Sequence, residues 1–196
     1  MSQHSQSHPA TVQIGRKALT QFRNILDRQG TGQTAAILRG AGFAAGEGTY
    51  QTLVDYTAKH FATDEPGNID RRHFGELLDG FFSSSGWGAC SIESLDEGVI
   101  AIDAPRWAES EPGDSPYPAC HISTGMLADL FSRLGGVPLA VMEVECRSKG
   151  DPRCRFLVGG AETLNAVYEL MSQGAGYSNA IASLSTSANP VKEDPS

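Results

Sequence analysis

Four cysteines, Cys90, Cys120, Cys146 and Cys154, together with the acids and the histidine near them, carry most of the reactive chemistry in this chain. Cys146 and Cys154 flank Lys149-Gly150-Asp151-Pro152, a run that signals a tight turn. A hairpin turning at residues 150–151 would set these two thiols almost opposite each other. Cys120 falls at the predicted start of a helix, where the peptide dipole favours thiolate over thiol. Three thiolates and one further donor make a closed tetrahedral zinc site, whose role is structural. Glu143, Glu145 and His121 are the candidates for the fourth donor. On a regular strand both glutamates point to the face opposite Cys146, so either would need a bulge or a strand end to join it. Buried free thiols are an equally good reading of the spacing, because cysteine packs as a small apolar residue and no Cys-x-x-Cys pair is present. Cys90 stands apart in sequence and reads as a buried thiol.

The elements that would position these groups follow from hydrophobic period. Leu19, Phe22, Ile25 and Leu26 predict a helix over residues 15–28, ended by Gly30-Thr31-Gly32. A longer, small-residue-rich helix follows over 33–60, with Gly42 and Gly46 one turn apart on one face. Glycine weakens a helix interior by up to about 1 kcal/mol, so close packing or ligand approach should offset it. Gly40, Gly42 and Gly46 have the wrong spacing for a nucleotide loop, and no βαβ unit surrounds them. Phe74, Leu77, Leu78, Phe81 and Phe82 mark a third helix over 70–83. Period two then takes over. Strands are expected at 87–95 and 99–104, followed by a solvated loop at 105–118. Ile122, Met126, Leu127, Leu130, Phe131 and Leu134 stripe a fourth helix starting near Cys120 and ending at Gly135-Gly136. A second hairpin, 137–147 with 154–158, and a helix over 161–171 complete the pattern. The order predicts an α+β domain over residues 13–172, an antiparallel sheet of about four strands with helices covering one face. Residues 1–12 read as a disordered arm and 173–196 as a disordered tail.

Composition narrows the function classes. The chain has 196 residues and a formal net charge of −8. An acidic surface disfavours nucleic acid and anionic membrane as partners. The polar N-terminus lacks the apolar stretch of a secretory signal, and no run is long enough to span a membrane. A cytoplasmic, reducing setting is therefore expected, with thiols or metal ligands rather than disulfides.

The segment CHISTGMLADLFSRLGGVPLAVMEVECRSKGDPRCRF resembles the core motif of the 4-vinyl reductase domain family. That motif runs Cys-His, an amphipathic helix with an early glycine, a valine-rich strand with Glu, then Cys-Arg-x-x-Gly-Asp-x-x-Cys-Arg-Phe. GWGACSIESLDEG and RGAGFAAG are similar to its earlier segments, so the likeness covers roughly residues 15–172. It implies a fold shared with the TRAPP-component and haem-NO-binding groups. It also implies a zinc ion held by three cysteines and a glutamate, which map onto Cys120, Cys146, Cys154 and Glu143. His121 then becomes a hydrogen-bonding residue at a helix start. Binding of a hydrophobic small molecule is implied as well, an aromatic hydrocarbon or a tetrapyrrole of bacteriochlorophyll synthesis, with a homodimer as the assembly.

A pocket for such a molecule should be apolar with a few polar handles. Phe43, Tyr50, Phe74, Trp87, Trp107 and Phe131 are the candidate lining residues, and His73 is a candidate handle. Trp107 stands out as a large indole in a polar stretch, where it needs a partner surface. The expected function is a sensor or carrier that passes its signal to a protein partner. The alternatives are a vinyl reductase of chlorophyll precursors, or an auxiliary subunit of one, and a scaffold acting by protein association. Hydride transfer normally needs a nicotinamide, flavin or iron–sulfur partner, for which the sequence offers no fingerprint.

Overall fold

A computed structural model describes residues 11–30, 33–96 and 98–188. Residues 1–10 of the expected arm and 189–196 of the expected tail lie outside the described residues. The chain runs α1 (Arg16–Arg28), α2 (Thr34–Phe61), α3 (Arg71–Ser84), β1 (Ser91–Asp96), β2 (Val99–Ala104), α4 (His121–Gly135), β3 (Ala140–Glu145), β4 (Cys154–Gly159), α5 (Ala161–Ser172) and α6 (Tyr177–Ala188), with short 3-10 turns at Pro66–Asn68 and Arg147–Lys149. The α+β expectation is met. The four strands form one antiparallel sheet in the order β1-β2-β4-β3. The connection through α4 carries the chain from β2 to the far edge, and β4 then returns into the gap between them.

Alternation along the strands splits the interior in two. Ile100, Ile102, Phe156 and Val158 face α2, α3 and α4, packing on Leu53, Leu78, Phe82, Met126 and Leu130. Val99, Ala101, Leu157 and Val144 face the opposite way, onto Leu164 and Val167 of α5 and Ala180 and Ile181 of α6. Each such large side chain, once buried, contributes about 1.5–3 kcal/mol. Helices therefore cover both faces, not one, and every residue of the central strand β4 is buried. The expected tail from residue 173 is corrected by the same observation. Tyr177, Ala180, Ile181 and Leu184 recur at helical spacing and seat α6 on the second cluster.

The long helix α2 lies against α4 through the glycines singled out in the sequence. A Cβ on Gly42 would overlap the carbonyl oxygen of Ile122, and one on Gly46 would overlap the Asp129 side chain. Gly125 does the same from the α4 side, against the Arg39 carbonyl. Close helix packing, rather than ligand approach, uses these glycines. The loop before α4 is also a correction. Trp107, Ala108, Glu109 and Ser110 are buried rather than solvated, and residues further on dock to the hairpin turn through Gly113 N to Arg147 O and Ser115 N to Ser148 O.

Candidate metal centre and the aromatic wall beside it

Cys146 ends β3 and Cys154 begins β4, joined by the 146–151 turn. Gly150 sits there at φ 106°, a conformation natural to glycine. Asp151 closes the turn with its own carboxylate, which accepts from Cys146 N at 2.8 Å, while Cys146 O accepts from the amides of Lys149 and Asp151. The Gly-Asp pair of the motif thus builds a knuckle that presents two sulfurs. Cys120 meets them from the start of α4, its sulfur 3.8 Å from each of theirs. Three sulfurs at about 2.3 Å from one tetrahedral ion would stand about 3.8 Å apart.

Glu143 completes the group through a register shift between Glu143 and Glu145 in the β3–β4 ladder. Glu143 pairs with Phe156 and Glu145 with Arg155, so Val144 is an extra residue on β3. The bulge reverses the alternation. Glu143 falls on the same side as Cys146, while Glu145 turns to the opposite face, where it meets Arg153 at 2.9 Å and the Tyr177 hydroxyl. Ligand atoms of Cys120, Glu143, Cys146 and Cys154 all lie within 4.8 Å of one another. His121, the other candidate donor, is not part of the cluster among the described residues.

The electrostatics are those of a site built for a cation. Glu143 Oε2 accepts from Cys120 N at 2.9 Å, whereas Oε1 is buried with no hydrogen-bond partner among the described residues. Burial and the neighbouring Cys146 push the Glu143 carboxyl up to about 9. Hydrogen bonds from Cys120 and Cys154 draw the Cys146 thiol far down, and the Cys120 thiol is held well above its usual range by those same two sulfurs and by burial. Among themselves the four acids can support little negative charge. A divalent cation would allow all of them to ionise. Amides of Ala119 and Arg147 donate to the sulfurs of Cys146 and Cys154, an outer layer that stabilises thiolate. The donor set fits a metal ion, and a closed set of three sulfurs and one oxygen leaves no position for a substrate.

Cys90 is separate, as expected. Its amide donates to Asp79 Oδ1 at 2.9 Å, and burial pushes its thiol up to about 12.

The pocket candidates divide into groups. Trp87 and Trp107 stack at 5.5 Å, and Phe82 and Phe156, missed in the sequence, pack on Trp107 at 5.2 and 5.8 Å. Phe74 and Phe131 form a second, edge-on pair at 6.4 Å. Tyr50 packs against the same cluster, partly buried. Phe43 lies half exposed in a shallow groove with Val137 and Leu139. His73 is exposed, its ring 3.4 Å from Glu76. Trp107 is fully buried and donates from Nε1 to Ser123 Oγ at 2.7 Å, and Ser123 donates in turn to Glu109. Neither Ser123 nor Glu109 stood out in the sequence; a glutamate among Pro, Ser and Gly reads as solvated.

Residues 108–160 match the 4-vinyl reductase (V-4-R) domain. The match spans Glu109, all four clustered donors and the stretch from Cys120 to Phe156 that carries the family resemblance. Similar folds are found in the phenol-responsive sensory domain of the transcription activator PoxR, solved with phenol (TM-score 0.54, 17% identity, 78% of this chain and 77% of that one), and in a trafficking protein particle complex subunit 3 from Naegleria fowleri covalently bound to palmitic acid (TM-score 0.54, 9% identity, 74% and 93%). A vinyl-4-reductase family protein from Methanocaldococcus jannaschii aligns at TM-score 0.41 and 19% identity, over 76% and 82%. No curated protein sequence matches the chain. No helix among the described residues is long and apolar enough to cross a membrane.

Proposed function

We propose that this chain, through its 4-vinyl reductase domain, is a zinc-stabilised cytoplasmic protein that binds a hydrophobic small molecule, an aromatic hydrocarbon or a tetrapyrrole pigment precursor, as a sensor or carrier. Zinc is the metal because three thiolates and one carboxylate, closed and tetrahedral, suit it best. The observation that carries the binding reading is Trp107. A buried indole with its N–H committed to a side chain of the clamped helix α4 heads a wall of four aromatic rings, in a fold that a phenol-responsive sensory domain also uses. Such a wall suits a flat apolar guest with one polar atom. Phenol is the probe. Titrated into the protein, it should quench or shift tryptophan emission with saturation, and Trp107→Phe should weaken binding about tenfold or more. Unchanged emission and no heat of binding at millimolar phenol would remove aromatic sensing from the reading. Turnover of a divinyl tetrapyrrole with NADPH by the pure protein would favour the reductase alternative instead.

A second copy of the chain belongs to the same reading, and α1 supports it. Its amphipathicity is inverted. Leu19 and two arginines hold the inner edge: Arg16 reaches Trp107 O at 3.3 Å, and the buried Arg23 reaches Ala119 O at 3.4 Å and Asp114. Phe22 and Ile25 face outward, 49% and 43% exposed. With Leu38, Ala41 and Ile122 they line an open apolar groove of about 370 Å³. A two-fold contact between copies would cover ridge and groove together, since each copy brings the same α1. Light scattering should report a dimer at micromolar concentration and a monomer for the Phe22→Asp, Ile25→Asp double variant. A wild-type monomer would turn this surface over to a different protein, the scaffold alternative.

A further inference from the structure

Helix α4 begins at a residue that does not cap it. Most helices start with a Ser, Thr, Asp or Asn whose side chain accepts from the first free amides. The N-cap residue here is Cys120, and its side chain makes no capping bond. Its sulfur points instead to the other two sulfurs. The free amides are satisfied from distant parts of the chain. Glu143 takes the Cys120 amide at 2.9 Å. Glu109 takes the next ones: Ile122 N at 2.9 Å on Oε1 and Ser123 N at 2.7 Å on Oε2, with Ser123 Oγ donating to Oε2 at 2.6 Å.

Glu109 is 1% exposed. A buried carboxylate is costly unless hydrogen bonds and charge offset it. Arg23 acts on it only through space, because the hydrogen bonds of that guanidinium go to Ala119 O and Asp114. What holds the carboxylate is the end of α4, with its three donors and the positive end of its dipole. What the helix receives is a cap that leaves the Cys120 side chain free.

We propose that Glu109 is a positioning residue of the metal site: it caps α4 in place of Cys120 and fixes the Cys120 thiolate at bonding distance from the ion. The inference rests on the zinc reading above. It extends to the aromatic wall, because Ser123, bound to Glu109, also receives the Trp107 indole N–H at 2.7 Å. A change at Glu109 should therefore register both in metal affinity and in Trp107 emission.

The test uses the zinc-loaded full chain, with E109Q, S123A and a control, L164A. Leu164 is a buried α5 residue on the opposite face of the sheet. Zinc affinity is read by chelator competition and stability by urea unfolding with zinc in excess. Substitutions behind metal ligands typically weaken binding about 10- to 100-fold. E109Q should fall in that range, S123A by less, and L164A should keep wild-type affinity although it is less stable. Cobalt-substituted E109Q should also show shifted thiolate charge-transfer bands. If E109Q does not fold, a fall in zinc affinity for S123A alone, with L164A unchanged, supports the role, and no fall overturns it. Equal affinities in E109Q and wild type overturn the inference, as does an equal loss in L164A, which would assign the effect to general stability. A wild-type chain that holds no zinc overturns the zinc reading and this inference with it.

Discussion

On one side of the β3–β4 hairpin, Glu143, Cys146 and Cys154 meet Cys120. On the other, Glu145, Arg153 and Arg155 meet Glu93, Asp103 and Tyr177. Both sets are drawn from neighbouring residues of the same two strands, and both bury ionisable groups. The second carries its own countercharges. Arg155, 8% exposed in its side chain, binds Asp103 at 2.6 Å through Nε and Glu93 at 2.6 Å through Nη2. The first consists of acids alone and leaves Glu143 Oε1 without a partner among the described residues. Desolvated charge has to be neutralised locally. One face does so with guanidinium groups written into the chain, and the other draws a cation from solution.

Removing that cation puts the contrast to its most severe test. Stripping zinc should produce the largest effect of any single change, because binding free energies of structural zinc run to about 10 kcal/mol and act as folding free energy. Urea midpoints with and without chelator measure it, and identical midpoints would mean the cysteine face closes without an ion. Arg155→Met is the counterpart on the other face. It leaves Asp103 buried and unpaired, and should cost about 3–5 kcal/mol. The loss should be the same with or without chelator; a chelator-dependent loss would show that the two faces are coupled.

Acid should separate the faces in order. Metal ligation requires deprotonated thiols, so zinc is lost as protons compete for the sulfurs. The hydrogen bond from Arg153, and then that from Tyr177, hold the Glu145 carboxyl below its usual range. Its contribution is fully present above the ordinary carboxylate value of about 4.3 and fades only as pH falls through the lowered one. Zinc release, followed with a colorimetric chelator, should therefore precede the undocking of α6, followed by Tyr177 ring signals in NMR. Simultaneous loss would contradict this order. The smallest effect expected is for Tyr177→Phe, which removes the hydroxyl between Glu145 and Arg155 and should cost about 1 kcal/mol in urea unfolding.

Much of this arrangement could be read from the sequence, and what escaped has physical causes. The helical and strand periods placed α1 to α5 and all four strands within a few residues, because each carries a long apolar stripe or alternation. Helix α6 has the same i, i+3, i+4, i+7 pattern in Tyr177, Ala180, Ile181 and Leu184, but serines and asparagine between them look like a tail. Missing α6 also meant assigning helices to one face only. The three cysteines were visible as a possible cluster from turn chemistry, yet the choice of Glu143 over Glu145 depends on a bulge at Val144 that no residue type announces. Glu109 was hidden for a related reason. Its partners are amides of a helix more than ten positions away, and backbone donors leave no trace in composition.

The bulge in β3 also constrains how this protein can change in length. Between Glu143 and Cys146 lie two residues, an interval a regular strand would use to send the two side chains apart. Deleting Val144 would restore regular pairing and place the carboxylate one residue nearer, where it would point in register with Cys146 without any irregularity. An insertion beside Val144 would have the opposite effect, turning Glu143 toward Arg153 and Arg155 and leaving three sulfurs to face an ion alone. The interval between ligands is thus tied to the irregularity of the strand, and a redesign that alters one has to alter the other.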